Sequence, residues 1–103
     1  MDMFYCTLTL CKSDYKKVKN IKEVKNMATE TYNHDCPKLI KKIYPDGSLD
    51  LVELCNYTGN IMPAESILQK LRIPYVAFLD KTDDGPALER LFDGKRVQEK
   101  EVD

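Results

Sequence analysis

Pro74 divides the second half of the chain more sharply than any other residue, because it lacks a backbone N–H and no helix can run through it undisturbed. Five apolar residues, Tyr75 to Leu79, follow it at once. Before it, Ala64, Ile67, Leu68 and Leu71 stand at i, i+3, i+4 and i+7, one face of a helix, and Thr58 to Pro63 carries helix-start residues. A run that is apolar at every position is the pattern of a strand covered on both faces. The spacing therefore predicts a helix that hands over directly to a buried strand.

The rest of the chain supplies matching elements. Met3 to Leu10 alternates, with Phe4, Cys6, Leu8 and Leu10 on one side, which is the period of a half-buried strand. Ser13 offers an N-cap, Asp14 puts negative charge in the first turn, and good helix formers continue to about Met27. In that stretch Tyr15, Val18, Ile21, Val24 and Met27 recur every three residues, so at 100° per residue the stripe slides by about 60° per step. Such a helix either curves round its sheet or breaks near Asn20. Thr29 to Pro37 reads as a loop. Lys38 to Tyr44 and Leu49 to Tyr57 are β-prone runs joined by Pro45-Asp46-Gly47-Ser48, a hairpin. Leu88 to Phe92 and Lys95 to Val102 flank Asp93-Gly94, a second hairpin signal.

This order, β-α-β-β-α-β and then β-β, predicts one α+β domain over residues 1–103. Its first six elements match the split βαβ arrangement called ferredoxin-like, with two helices on one face of a mainly antiparallel sheet and the other face open. The C-terminal β-hairpin is expected to extend that sheet beside the apolar fourth strand, which would otherwise be an edge. The alternatives are a different mixed sheet, or a swapped or dimeric sheet that uses the hairpin in trans.

At 103 residues, 43% hydrophobic and 32% charged, the chain has the balance of an ordinary globular protein. No apolar run approaches the roughly 18 residues that cross a bilayer, and Met1 to Leu10 lacks the basic start and cleavage site of an export signal. A cytoplasmic protein without membrane contact is expected, with Cys6, Cys11, Cys36 and Cys55 as reduced thiols. The net charge of −1 argues against a general polyanion binder, yet the charge is uneven. Lys12 to Lys25 holds six lysines against Asp14 and Glu23, whereas Asp80 to Asp103 holds eight acids against five bases.

Several groupings imitate chemistry. His34-Asp35-Cys36 places the single histidine beside a thiol and a carboxylate, but sequence neighbours are not geometric neighbours, and a polar loop is the better account. Zinc would suit Cys6, Cys11, His34, Cys36 and Cys55, but the close pairs of zinc sites are lacking, and Cys6 and Cys11 differ in strand parity. Asp80 to Gly85 resembles the opening of a calcium loop, yet its twelfth place is Leu91 where a glutamate is required. No cofactor and no metal are expected.

The leading expectation is a non-enzymatic protein-binding module of inhibitor, immunity or regulatory type, whose partner contacts Lys16, Lys19, Lys22 and Lys25 or else an acidic C-terminal hairpin and the loop with Asp80, Asp83 and Asp84. Electrostatic steering would make that encounter salt-sensitive. The second reading is a nucleic-acid binder, with the same lysines on phosphates and Tyr5 and Tyr57 stacking bases on an open sheet. Against it, Leu49 to Tyr57 lacks the basic-glycine-aromatic signature of RNA recognition motifs, and Glu53 shares the side of Tyr57. A small thiol or metal-dependent enzyme is the third, and a homo-oligomer is compatible with each.

Overall fold

The computed structural model describes residues 5–30, 51–56, 61–80 and 85–102. In chain order they form β1 (Cys6–Cys11), α1 (Lys12–Val18), α2 (Lys22–Lys25), β2 (Ala28–Glu30), β3 (Leu51–Asn56), α3 (Met62–Lys70), β4 (Tyr75–Leu79), β5 (Ala87–Phe92) and β6 (Val97–Val102). The strands make one sheet in the order β2-β3-β1-β4-β5-β6, and every pairing is antiparallel. The architecture is thus α+β with an antiparallel sheet. β1 lies between β3 and β4, with Leu8 opposite both Leu54 and Ala77.

The C-terminal hairpin pairs beside β4, Tyr75 opposite Phe92, and covers its edge. Its turn is centred one residue later than Asp93-Gly94. The Asp93 N–H donates to the Arg96 carbonyl, so Gly94 and Lys95 are the central residues, and Gly94 takes the positive φ of 99° that this position demands. Asp93 Oδ1 accepts the backbone N–H groups of Lys95 and Arg96, both at 2.8 Å.

The strand order departs from the expected one at the opposite edge. Beside β3 stands Ala28–Glu30, in a stretch that the sequence assigned to the helix end and loop, while the expected strand Lys38 to Tyr44 and its turn lie outside the described residues. An early strand is possible because the first helix is not continuous. α1 stops at Val18, the Ile21 N–H bonds back to the Val18 carbonyl, and α2 ends at Lys25. In one straight helix the period of three would carry Met27 about 180° round from Val18. The break re-phases the chain, and Val18, Val24 and Met27 all reach the core. Ser13 is not the cap either. Cys11 holds that position without a side-chain capping bond, and its Sγ shares a 3.1 Å hydrogen bond with the Ser13 hydroxyl.

α3 also sits differently from its expected face. Its buried line is Ile61, Ala64, Glu65 and Leu68, again i, i+3, i+4 and i+7, whereas Leu71 is 50% exposed. The cause is the helix end. Arg72 adopts the left-handed φ of 57°, the Ile73 N–H reaches the Leu68 carbonyl and the Arg72 N–H the Gln69 carbonyl, a Schellman closure that turns Ile73 inward in place of Leu71.

The core joins Cys6, Leu8, Leu10, Leu54, Tyr75, Ala77 and Phe92 of the sheet to Val18, Val24, Ile61, Ala64 and Leu68 beneath the helices. The opposite face is not open at its centre, contrary to expectation. Cys11, Cys55, Val76 and Leu91 alternate with the helix-facing residues, and all are buried. β4 is apolar on both sides, and such a strand is stable only when both sides are covered. No helix among the described residues is long and apolar enough to cross a membrane.

Candidate functional site

The lysines of the first helical stretch form a surface because the apolar residues between them are spent on the core. Val18 and Val24 are buried, whereas Lys16 of α1, Lys19 just past its end, and Lys22 and Lys25 of α2 are all exposed. Lys12 and Lys17 are exposed as well, and Lys17 Nζ stands 3.5 Å from Asp14 Oδ1. An exposed pair of this kind contributes roughly 0–1 kcal/mol, so the surface keeps its cationic character toward a partner.

Of the alternative acidic surface Asp80, Asp83 and Asp84, the described residues include Asp80. Asp80 is exposed at the end of β4, where its N–H donates to the Tyr5 carbonyl at 3.0 Å; Asp83 and Asp84 lie outside the described residues. The hairpin strands and turn, Ala87 to Val102, hold four acids and four bases, so the hairpin itself is neutral.

Tyr5 and the lysines stand on opposite sides of the sheet. The Tyr5 hydroxyl donates to Glu53 Oε1 at 3.3 Å, and Glu53 is a buried carboxylate opposite Thr9 on the face away from α1 and α2. Tyr57 lies outside the described residues, as do His34 and Cys36. Cys6 faces the helices while Cys11 faces the other way, as their parity requires. Among the described residues no three of His, Cys, Asp and Glu meet as ligands. Burial pushes the Cys6 thiol above its ordinary value, with the Arg90 charge opposing in part, which makes it a poor nucleophile.

One polar constellation is absent from the sequence reading. Glu65, 2% exposed on α3, receives Arg90 from β5 in a two-pronged pair, Nε to Oε1 at 2.9 Å and Nη2 to Oε2 at 2.5 Å. The Tyr75 hydroxyl donates to Glu65 Oε1 at 2.9 Å and accepts from Gln69 Nε2 at 2.9 Å. Arg90 Nη1 also reaches Glu99 Oε2 of β6 at 3.3 Å. Burial lowers the affinity of the Arg90 guanidinium for its proton, and the bonds and charge of Glu65 and Glu99 outweigh this and hold it above its ordinary value. Burial also drives the Tyr75 phenol far above its ordinary value, against the donation from Gln69. Each acceptor oxygen of Glu65 is engaged by a donor from this network, so it anchors α3 to β4, β5 and β6. A visible signal existed: Glu65 falls on the same helical line as Ile61, Ala64 and Leu68, and Arg90 shares strand parity with Phe92.

Comparison with protein-family models, with curated proteins and with solved structures returns no match to this chain.

Proposed function

We propose that the protein is a non-enzymatic protein-binding module, of inhibitor, immunity or regulatory type, that docks an acidic partner on Lys16, Lys19, Lys22 and Lys25. The observation that carries this reading is the joint exposure of these four lysines along α1, α2 and the turn between them, whose Val18 and Val24 are fixed in the core. A cationic surface on anchored elements offers a partner a fixed pattern of charge, which raises the rate of encounter and selects against basic partners. Burial of Glu65 against Arg90 supports a structural role for that pair, since its hydrogen bonds are used within the fold. We further propose a split βαβ, ferredoxin-like reading of the sheet, in which β2-β3-β1-β4 is the four-stranded part, Ala28–Glu30 takes the edge expected of Lys38 to Tyr44, and the β5-β6 hairpin is added at the β4 edge.

The nucleic-acid reading has the same lysines in its favour and the position of Tyr5 against it. A strand lying on α1 and α2 would have to pass round a sheet edge to stack on Tyr5, where it would meet the Glu53 carboxylate. The test is retention from native lysate by the tagged chain and by Lys19→Glu/Lys22→Glu, with bound protein identified by mass and nucleic acid by absorbance at 260 nm. A stoichiometric protein retained by the wild type and lost by the variant is expected. Retention that ignores the charge reversal overturns the lysine face, and nuclease-sensitive retention of nucleic acid in place of protein overturns the module.

A further inference from the structure

We infer that the lysine face continues into a groove between α2 and α3 that takes an apolar side chain from an acidic protein segment; this rests on the protein-binding reading above. The groove encloses about 260 Å³. Its described lining runs from Met27 and Ala64, both buried, to Pro63 and Asn26, both exposed, with Lys22 at the rim. Met62, 56% exposed, precedes Pro63 on the first turn of α3. Met, Pro and Ala present an apolar and adaptable wall, and the Asn26 carboxamide has both the donor and the acceptor that a peptide backbone needs.

Charge decides what class of occupant fits. Lys22 lines the groove, Lys25 is exposed on the same short helix and Lys19 stands just before it, so a segment carrying carboxylates beside its apolar residue is drawn to this rim. Glu23 also lines the groove and is half-buried. A carboxylate inside the groove repels phosphate, which turns the site away from nucleic acid, and it obliges the partner's acids to lie toward Lys22 and Lys25. The apolar side chain then covers Met27 and Ala64, and the segment's backbone passes Asn26.

Fluorescence anisotropy tests this with a glutamate-rich synthetic peptide bearing two leucines, its alanine counterpart, and a single-stranded RNA of equal charge. The leucine peptide is expected to bind about tenfold more tightly than the alanine peptide. Asn26→Trp, at an exposed position, fills the groove mouth and removes the carboxamide, so it is expected to abolish that difference and to weaken the alanine peptide as well. Lys22→Glu/Lys25→Glu lowers both. Equal binding of the two peptides to the wild type, which needs no variant to fold, overturns the groove and leaves the lysine face standing. If neither peptide binds, or the RNA binds more tightly than both, the protein-binding reading falls and the groove with it.

Discussion

Arg90 is the residue on which the interior depends most. Glu65 is 2% exposed and takes its donors from Arg90 and Tyr75, so removing the guanidinium leaves it buried without its charged partner. Arg90→Met is expected to cost about 3–5 kcal/mol, read as a shift of the urea midpoint at unchanged slope. Glu65→Leu/Arg90→Met, which removes both charges, is expected to regain most of that loss. A single variant that costs under about 1 kcal/mol would mean that the pair is solvated. The pH response has its own sign. Tyr75 and Cys6 are both raised in the folded state, chiefly by burial, so the fold holds their protons more tightly than the unfolded chain does. Their contribution is complete below the unfolded-state values and is lost as pH rises above about 9 to 10. Stability is expected to fall across that alkaline range, and Tyr75→Phe is expected to flatten the fall; a slope unchanged in this variant would detach Tyr75 from it. The network was legible only in part: helical line and strand parity turn Glu65 and Arg90 inward, but two residues distant in the chain declare their pairing only once the phase of α3 is known.

The elements were legible in proportion to how far local rules decided them. β1, β4 and the C-terminal hairpin follow from alternation, an unbroken apolar run and a glycine-bearing turn, and each stands close to its expected place. The helices were legible in existence and not in phase. A period of three at Val18, Ile21 and Val24 could mean a curve or a break, and only packing on the sheet chose the break. For α3, the apolar line through Leu71 looked better than the one through Glu65, since the sequence shows no glycine to mark the Schellman closure. Arg72 takes the left-handed conformation there instead. That conformation costs an L residue roughly 1–2 kcal/mol, part of which glycine returns through its greater freedom in the unfolded chain. Arg72→Gly is therefore expected to stabilise the protein by about 0.5–1 kcal/mol and to raise its melting temperature by a few degrees. A lower melting temperature would show that the Arg72 side chain contributes more than its backbone strain removes.

At the level of the molecule, the sheet ends at β6, which pairs with β5 alone among the described strands, and the composition of this edge bears on self-association. Two copies joined edge to edge by a twofold axis through the sheet would run β6 antiparallel to its mate, with residues of equal parity opposite one another. In one of the two registers that keep most of the strand, Glu99 faces the mate's Glu99. In the other, Glu99 faces the mate's Glu101 and Lys100 faces the mate's Lys100. Like charges directly opposite destabilise a strand pair, and charged edges are a usual defence against such pairing. The same alternation of Glu99, Lys100 and Glu101 serves the interior, since Glu99 holds Arg90 and Lys100 stands 3.8 Å from Glu89. The chain is accordingly expected to sediment as a monomer at micromolar concentration, with Lys19, Lys22 and Lys25 left open to a different partner. Glu99→Gln/Lys100→Gln/Glu101→Gln removes the repulsion in both registers and is expected to introduce a concentration-dependent dimer. A wild-type dimer that this variant leaves unchanged would place self-association elsewhere than β6, and one that the variant strengthens would show that the edge pairs in spite of its charges.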